Sequence, residues 1–192
     1  LVSESGGTDT FSVVLGSEPT GNVVFSLTAG DGTEVSLSAS VLTFSTSNWS
    51  TAQTVTVTGV NDNVSDDNVT STITVAINQS NTADTKYDAL SSQSVTVSTT
   101  DDDTAAFTVT ESGGSTVVAE SGSTDAIVVT LSSEPTGNVV LSLTNSDNET
   151  SLSASTLTFT PSNWNSAQDV TITGVDDNID DDNVTSTITV AI

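Results

Sequence analysis

The chain has 192 residues, in which 25 carboxylates stand against one basic side chain, Lys86, so that the formal net charge is −24. Such an excess of negative charge repels phosphates and anionic lipids, which argues against nucleic acid as a partner and against direct membrane insertion. The chain has no cysteine, no histidine and no apolar run of the roughly 20 residues that span a bilayer, which excludes a disulfide-held fold, a thiol enzyme and a membrane-spanning helix.

Short segments that alternate Val, Ile, Leu or Phe with Thr or Ser predict β-strands along the whole chain. Turn sequences such as the one at 18–22 separate these segments, and no window shows a sustained helical period. Six or seven strands in roughly 115 residues predict an all-β fold of tandem antiparallel immunoglobulin-like sandwiches, with about seven strands each. In chain order, the predicted strands lie at 11–15, 23–27, 41–44, 54–58, 72–75, 94–97 and 106–110.

The sequence repeats itself. Residues 2–24 recur at 118–140, an offset of 116 residues, and residues 34–77 recur at 149–192, an offset of 115. About seven in ten aligned residues are identical. We therefore predict two domains, 1–103 and 104–192, of which the first lacks its first strand and the second lacks its last hairpin. Similarity this high is typical of long arrays, in which the partners of each repeat are its neighbours in the same polypeptide.

Four acidic features accompany the predicted strand ends, and three of them recur in the second repeat. They are a Glu in the segments 2–7 and 118–123, a Glu ten residues before a Phe, an acidic loop at 61–67 and 176–182, and the triplet at 101–103. Calcium needs six to eight oxygen ligands, which no single one of these loops supplies but which converging loops could. A solvated acidic surface accounts equally well for the spacing, so both interpretations stay open on the residues alone.

Three stretches of the sequence form a recognisable pattern when they are taken in order. They are Val2-Ser3-Glu4-Ser5-Gly6-Gly7, then Leu42-Thr43-Phe44 followed by 54–63, and finally Val95-Thr96-Val97 before the acidic triplet. Together they resemble the Calx-beta module, and the resemblance covers nearly the whole chain. It implies a seven-stranded immunoglobulin-like sandwich that binds Ca²⁺ and that recurs in exchanger and adhesion proteins.

The resemblance also implies a set of calcium ligands in each repeat. Asn61 departs from the family's Asp-Asp pair, which should weaken one ion position. The triplet of the second repeat would lie beyond Ile192, so that its site should be incomplete in this sequence. The implied ligands of the first repeat are Glu4, Glu34, Asp62, Asp66, Asp101, Asp102 and Asp103. The implied ligands of the second repeat are Glu120, Glu149, Asp176, Asp177 and Asp181.

Function follows from the repeats and the resemblance together. With no histidine base, no cysteine nucleophile and no glycine-rich phosphate loop, we predict that the chain is not an enzyme. We expect an extracellular extender segment of a large RTX-type adhesin on the bacterial cell surface. In such a protein, calcium-rigidified repeats project a distal region that binds a host or bacterial surface ligand in adhesion or biofilm formation.

Two alternative functions stay open. The repeats could bind carbohydrate or a cell surface through their own loops and through Trp49 or Trp164, or they could form a calcium-sensor pair like the exchanger domains. For both tryptophans we expect packing over the end of a sandwich rather than contact with a ligand.

Overall fold

A computed structural model describes residues 1–179 and 182–192 of the chain. The contacts divide these residues into two compact units. The first unit comprises Leu1–Asp62 and Asp66–Asp102, and the second comprises Asn63–Ser65 and Asp103–Ile192. None of the helices in the described part of the chain has the length and apolar character that crossing a membrane requires.

The first unit contains eight strands and one short helix. These are β1 (Val2–Ser3), β2 (Thr8–Val13), β3 (Val23–Ala29), β4 (Val35–Leu37), β5 (Val41–Phe44), β6 (Gln53–Gly59), β7 (Val69–Ile77), α1 (Thr85–Asp88) and β8 (Gln93–Thr100). One sheet has the order β1-β8-β7-β3-β5 and the other has the order β2-β6-β4. All neighbours are antiparallel except β1 and β8, which run parallel.

The core of the first unit forms because each strand places its aliphatic residues on one face. On β6, Val55 and Val57 are buried, and on β7 Ile73 is completely buried, whereas the intervening threonines reach the surface. Burial of one such side chain contributes about 1.5–3 kcal/mol. Phe25 packs edge-to-face on the buried Phe44, with ring centroids 5.9 Å apart.

The second unit contains seven strands among its described residues. These are β9 (Phe107–Glu111), β10 (Thr124–Leu131), β11 (Val139–Asn145), β12 (Thr150–Leu152), β13 (Thr156–Phe159), β14 (Gln168–Gly174) and β15 (Ile188–Ala191). They form sheets of order β12-β14-β10-β9 and β13-β11-β15, and all neighbouring pairs are antiparallel. Phe159, Leu141 and Val170 are fully buried in its core.

The prediction of tandem antiparallel immunoglobulin-like sandwiches is confirmed. Each of the seven predicted strands matches an observed one, and the bounds of β5 are the same in both. The sequence did not predict the short strands β1 and β4, nor the one-turn helix α1. The domain limits at 103 and 104, with a strand missing at one end and a hairpin at the other, stay predictions.

Candidate metal centre

Three chain segments bring carboxylates together at one end of the first unit. Glu4 directly follows β1, Glu34 directly precedes β4, and Asp62 lies three residues after β6. Backbone hydrogen bonds fix the first of these segments, because the Glu4 amide donates to the Thr100 carbonyl at 3.1 Å. The amide of Val60 donates to the Glu34 carbonyl at 2.9 Å and fixes the second.

The glycine that ends β6 makes this approach possible. A Cβ at Gly59 would collide with the carbonyl carbon and oxygen of Ser3. With no side chain in the way, the Gly59 amide donates to the Gly7 carbonyl at 3.0 Å, and the turn that carries Glu4 packs directly on the end of β6. Glu4 therefore reaches the same space as the loop that follows β6.

The cluster has two carboxylates that are almost completely removed from solvent. Glu4 is 1% exposed and Glu34 is 3% exposed. One carboxylate oxygen from each of Glu4, Glu34 and Asp62 lies within 4.8 Å of the other two. A carboxylate oxygen of Asp102 also lies within 4.8 Å of one from Glu4. The Oε2 atoms of Glu4 and Glu34 have no hydrogen-bond partner among the described residues. Buried polar atoms are nearly always paired, so these two oxygens call for a ligand.

Burial and mutual repulsion raise the pKa values of several carboxylates in and beside the cluster. Burial, followed by the neighbouring charges of Asp62 and Glu34, raises the pKa of Glu4 to about 7. Burial raises the pKa of Glu34 as well, and Asp66 adds to that effect. Partial desolvation, with Asp62 and Asp101 close by, raises the pKa of Asp66. A cation among these groups would remove both the repulsion and the unpaired oxygens.

Asp101 organises the loop that carries Asp66. Its Oδ2 accepts hydrogen bonds from the amides of Asp66 at 3.1 Å and Asp67 at 2.9 Å, while its own amide donates to Oδ1 of Asn68 at 3.1 Å. Asp67 adopts a left-handed conformation with φ of 67°. Aspartate tolerates that conformation better than most residues, which suits it to this turn.

The donor set of the cluster fits calcium. All the converging ligand atoms are carboxylate oxygens, which suit a hard cation, and Ca–O distances of about 2.3–2.6 Å allow two ligands of one ion to lie up to about 5 Å apart. The separation of at most 4.8 Å meets that condition. Glu4, Glu34 and Asp62 could therefore hold a Ca²⁺ ion, and Asp102 lies near enough to Glu4 to bind a cation together with it.

The remaining implied ligands belong to the second unit or lie outside the described residues. Asp103 is half-buried and begins the longer segment of the second unit. In that unit Glu120 is exposed, Glu149 is half-buried, and both Asp176 and Asp177 are exposed. No group of three metal-binding side chains forms among the described residues of the second unit. Asp181 lies outside the described residues.

Sequence reasoning missed one residue that acts on the cluster. The carboxylate of Asp31 accepts hydrogen bonds from the Thr33 amide at 3.1 Å and from the Thr33 hydroxyl at 2.6 Å, and its charge contributes to the raised pKa of Glu34. The signal was the Asp-Gly-Thr turn sequence directly before Glu34. The second repeat has Asp147 at the aligned position, so the recurrence of this Asp in both repeats was a further signal.

The two tryptophans differ in their surroundings. Trp49 is half-buried and packs against the core cluster of the first unit that contains Phe44, and its carbonyl accepts a hydrogen bond from the Leu15 amide at 3.2 Å. The prediction of a packing role is confirmed for Trp49. Trp164 is half-buried, and for it the packing role stays a prediction.

Comparisons with known proteins find distant structural likenesses. The sequence matches no known family and no curated protein. The calcium-binding domain CBD12 of CALX1.1 has 16% identity and a TM-score of 0.41, over 99% of this chain and 76% of that one. The D0-D1 domain of intimin has 18% identity and a TM-score of 0.35, over 100% of this chain and 85% of that one. The D00-D0 domain of intimin has 12% identity and a TM-score of 0.30, over 100% of this chain and 94% of that one.

Proposed function

We propose that this chain is a calcium-binding, non-enzymatic segment of an extracellular protein, and that its first unit holds the ion. One observation carries the proposal: Glu4 and Glu34 are almost fully buried side by side, each with an unpartnered Oε2, next to Asp62. Burying two carboxylates without a counter-charge is costly. The chain offers one cationic side chain in all, Lys86, which is far too little to neutralise 25 carboxylates.

A millimolar extracellular ion is the natural partner of such a site. Extracellular calcium modules bind with dissociation constants of about 10⁻⁴–10⁻³ M, and flexible carboxylate loops are their ligands. Asp66 and Asp102 are exposed, so the outer part of the cluster is open to solvent, whereas Glu4 and Glu34 are buried beneath it. This combination supports an exchangeable ion rather than a trapped one.

The mechanical part of the proposal concerns the acidic triplet. Asp101 accepts hydrogen bonds from the loop at 66–67, and an oxygen of Asp102 lies within 4.8 Å of one from Glu4, so that calcium bound by Glu4 and Asp102 would restrain the backbone directly before Asp103. In an array of near-identical repeats, a restraint repeated at each junction would stiffen the polypeptide. That supports an extender role, in which repeats of a bacterial surface adhesin project a distal region toward a host or bacterial ligand.

Calorimetric titration of the full chain with calcium tests the binding site. We expect one site per chain of the extracellular affinity class, and Glu4→Gln should weaken it by about 100-fold or more, because even the outer-shell partners of metal ligands change affinity 10- to 100-fold. Glu18→Gln is the matched control, since Glu18 is exposed and stands apart from the cluster. Equal affinities for both variants would contradict the site.

A further inference from the structure

Two buried hydroxyl groups lie between the aliphatic core of the first unit and its carboxylate cluster. The buried members of that part of the core are Val2, Val35, Val57, Ile73 and Val97. On β7 and β8, the next inward-facing residues toward the acidic loops are Ser71 and Thr99. Ser71 is 2% exposed and Thr99 is completely buried. The core therefore ends in hydroxyl groups at the end of the unit that carries the cluster.

Both hydroxyl groups are unpaired. The Oγ atom of Ser71 and the Oγ1 atom of Thr99 have no hydrogen-bond partner in the part of the chain that the structure describes. The Oε2 atoms of Glu4 and Glu34 are unpaired in the same way. A hydroxyl group can donate a hydrogen bond, and an ionised carboxylate can only accept one. The two hydroxyls and the two carboxylates are therefore complementary in their chemistry.

Strand pairing places Thr99 next to Glu4. Strand β1 runs parallel to β8, with Val2 opposite Thr99, and the Glu4 amide continues this pairing by donating to the Thr100 carbonyl at 3.1 Å. Val2 and Glu4 are both buried, as expected for residues two apart that share a face. A step of two strand residues is about 6.6 Å. The Glu4 side chain therefore begins one step beyond Thr99, toward the cluster.

The second unit shows which turn the serine of β7 faces. The aligned residue there, Ser186, donates to Oδ1 of Asp147 at 2.7 Å. The same oxygen accepts a hydrogen bond from the amide of Glu149 at 3.1 Å, and Glu149 aligns with Glu34. A serine at this position therefore faces the turn that carries the glutamate.

In the first unit a threonine takes the place of this serine as the donor. Thr33 donates to Oδ1 of Asp31 through its amide at 3.1 Å and through its hydroxyl at 2.6 Å. The second repeat has Asn148 at the position of Thr33. Because the Thr33 hydroxyl already bonds to Asp31, the Ser71 hydroxyl is left to face Glu34, the other buried acceptor of this turn.

We propose that Ser71 and Thr99 are positioning residues of the calcium site, which donate hydrogen bonds to Glu34 and Glu4 when these two glutamates bind the ion. The inference rests on the calcium function proposed above and adds two residues that do not touch the ion. A hydroxyl that donates to one carboxylate oxygen orients the other oxygen toward the cation. Such outer-shell bonds tune the affinity of metal sites, and a charged acceptor makes them stronger than bonds between neutral groups.

This role predicts opposite effects on affinity and on stability. Without calcium each hydroxyl is buried and unpaired, which is unfavourable, so its removal should not destabilise the first unit. With calcium each hydroxyl supports a ligand, so its removal should weaken binding. A residue that acts only through packing would instead lose stability in chelator when it is replaced.

Thr99→Val and Ser71→Ala test the proposal, because they remove the hydroxyl group with little change of shape. We expect each variant of the full chain to bind calcium about 10- to 100-fold more weakly in calorimetric titration. The midpoint of urea unfolding in chelator should stay the same or rise, with Trp49 fluorescence in a Trp164→Phe background as the signal of the first unit. Thr99→Ser keeps the hydroxyl but loses a buried methyl group, so it should lower this midpoint and keep the original calcium affinity.

Ser186→Ala is the matched control, since it removes the aligned hydroxyl of the second unit and should leave calcium affinity unchanged. Unchanged affinity in Ser71→Ala or in Thr99→Val overturns the role of that hydroxyl and leaves the calcium function standing. Weaker binding that comes with a lower unfolding midpoint in chelator also overturns it, because packing then accounts for both effects. A chain that binds no calcium before any substitution overturns the calcium function, and this inference with it.

Discussion

At the scale of single residues, Glu4 determines how the first unit responds to pH. In the folded chain its pKa is about 7, against an ordinary value of 4.5, and burial is the main cause. Between these two values the folded chain binds more protons than the unfolded chain. Stability therefore falls as pH rises through this window. A carboxylate that is paired in the native state gives the opposite pH dependence.

In calcium-free solution, we expect the free energy of unfolding of the first unit to fall by up to about 3 kcal/mol between pH 5 and pH 8. Urea unfolding in chelator at a series of pH values measures the slope. Glu4→Gln should reduce the slope, because an amide has no charge to desolvate, and the raised pKa values of Glu34 and Asp66 account for the part that remains. Glu18→Gln should leave the slope unchanged. With calcium present the slope should reverse, since the ion competes with protons for the same oxygens. An undiminished slope in Glu4→Gln would assign the pH response to other groups.

Asp101 gives a second prediction at this scale. Its carboxylate accepts hydrogen bonds from two consecutive amides, those of Asp66 and Asp67. Asp101→Ala should therefore speed amide exchange at both positions, by about 10-fold if one charge-assisted bond of about 1.5 kcal/mol is lost at each. Exchange measured by NMR on the calcium-free chain checks this. Asp9→Ala, which alters an exposed carboxylate elsewhere, is the control, and unchanged rates in Asp101→Ala would show that the loop is held by other contacts.

At the scale of elements, the end of β6 and the turn after β1 form one packing unit. Gly59→Ala would place a Cβ against the Ser3 carbonyl, so that the turn carrying Glu4 must move away from β6. We expect a loss of calcium affinity of at least about 10-fold, because the substitution displaces a ligand without changing any charge. Gly16→Ala is the matched control, since a Cβ there meets nothing within 4 Å. Calorimetric titration of both variants measures the difference, and unchanged affinity in Gly59→Ala would refute the packing argument.

The elements also show what the sequence could and could not predict. Local alternation was sufficient for β6 and β7, because a strand that buries one face shows its period in five residues. It was insufficient for β1, whose pairing partner β8 is distant in the chain. The burial of Glu4 has the same origin, since Glu120 sits in a nearly identical local sequence and is exposed. The sequence could predict both Glu4 and Glu120 as ligands, but only long-range packing determines which of the two is buried.

At the scale of the whole molecule, the −24 net charge and the candidate ion site act on stability in different ways. Any salt screens repulsion between exposed carboxylates, and it does so in both units. A bound ion stabilises only the unit that holds it, in proportion to the logarithm of its free concentration. The two repeats are nearly identical in sequence, but Glu4 and Glu34 are buried together whereas Glu120 is exposed. The second unit therefore serves as an internal control for ion binding by the first.

Calcium should accordingly raise the melting temperature of the first unit and leave that of the second nearly unchanged. At about 100 times the dissociation constant the gain is about 2.7 kcal/mol, which for a unit of this size corresponds to roughly 10–20 °C. Each unit has one tryptophan, so that Trp164→Phe leaves the fluorescence of Trp49 to report on the first unit and Trp49→Phe leaves that of Trp164 to report on the second. Thermal unfolding of both variants in calcium and in chelator, at equal ionic strength, separates ion binding from screening. Equal shifts of the two transitions would contradict the proposed site, because an ion bound by the buried carboxylates of the first unit stabilises that unit alone.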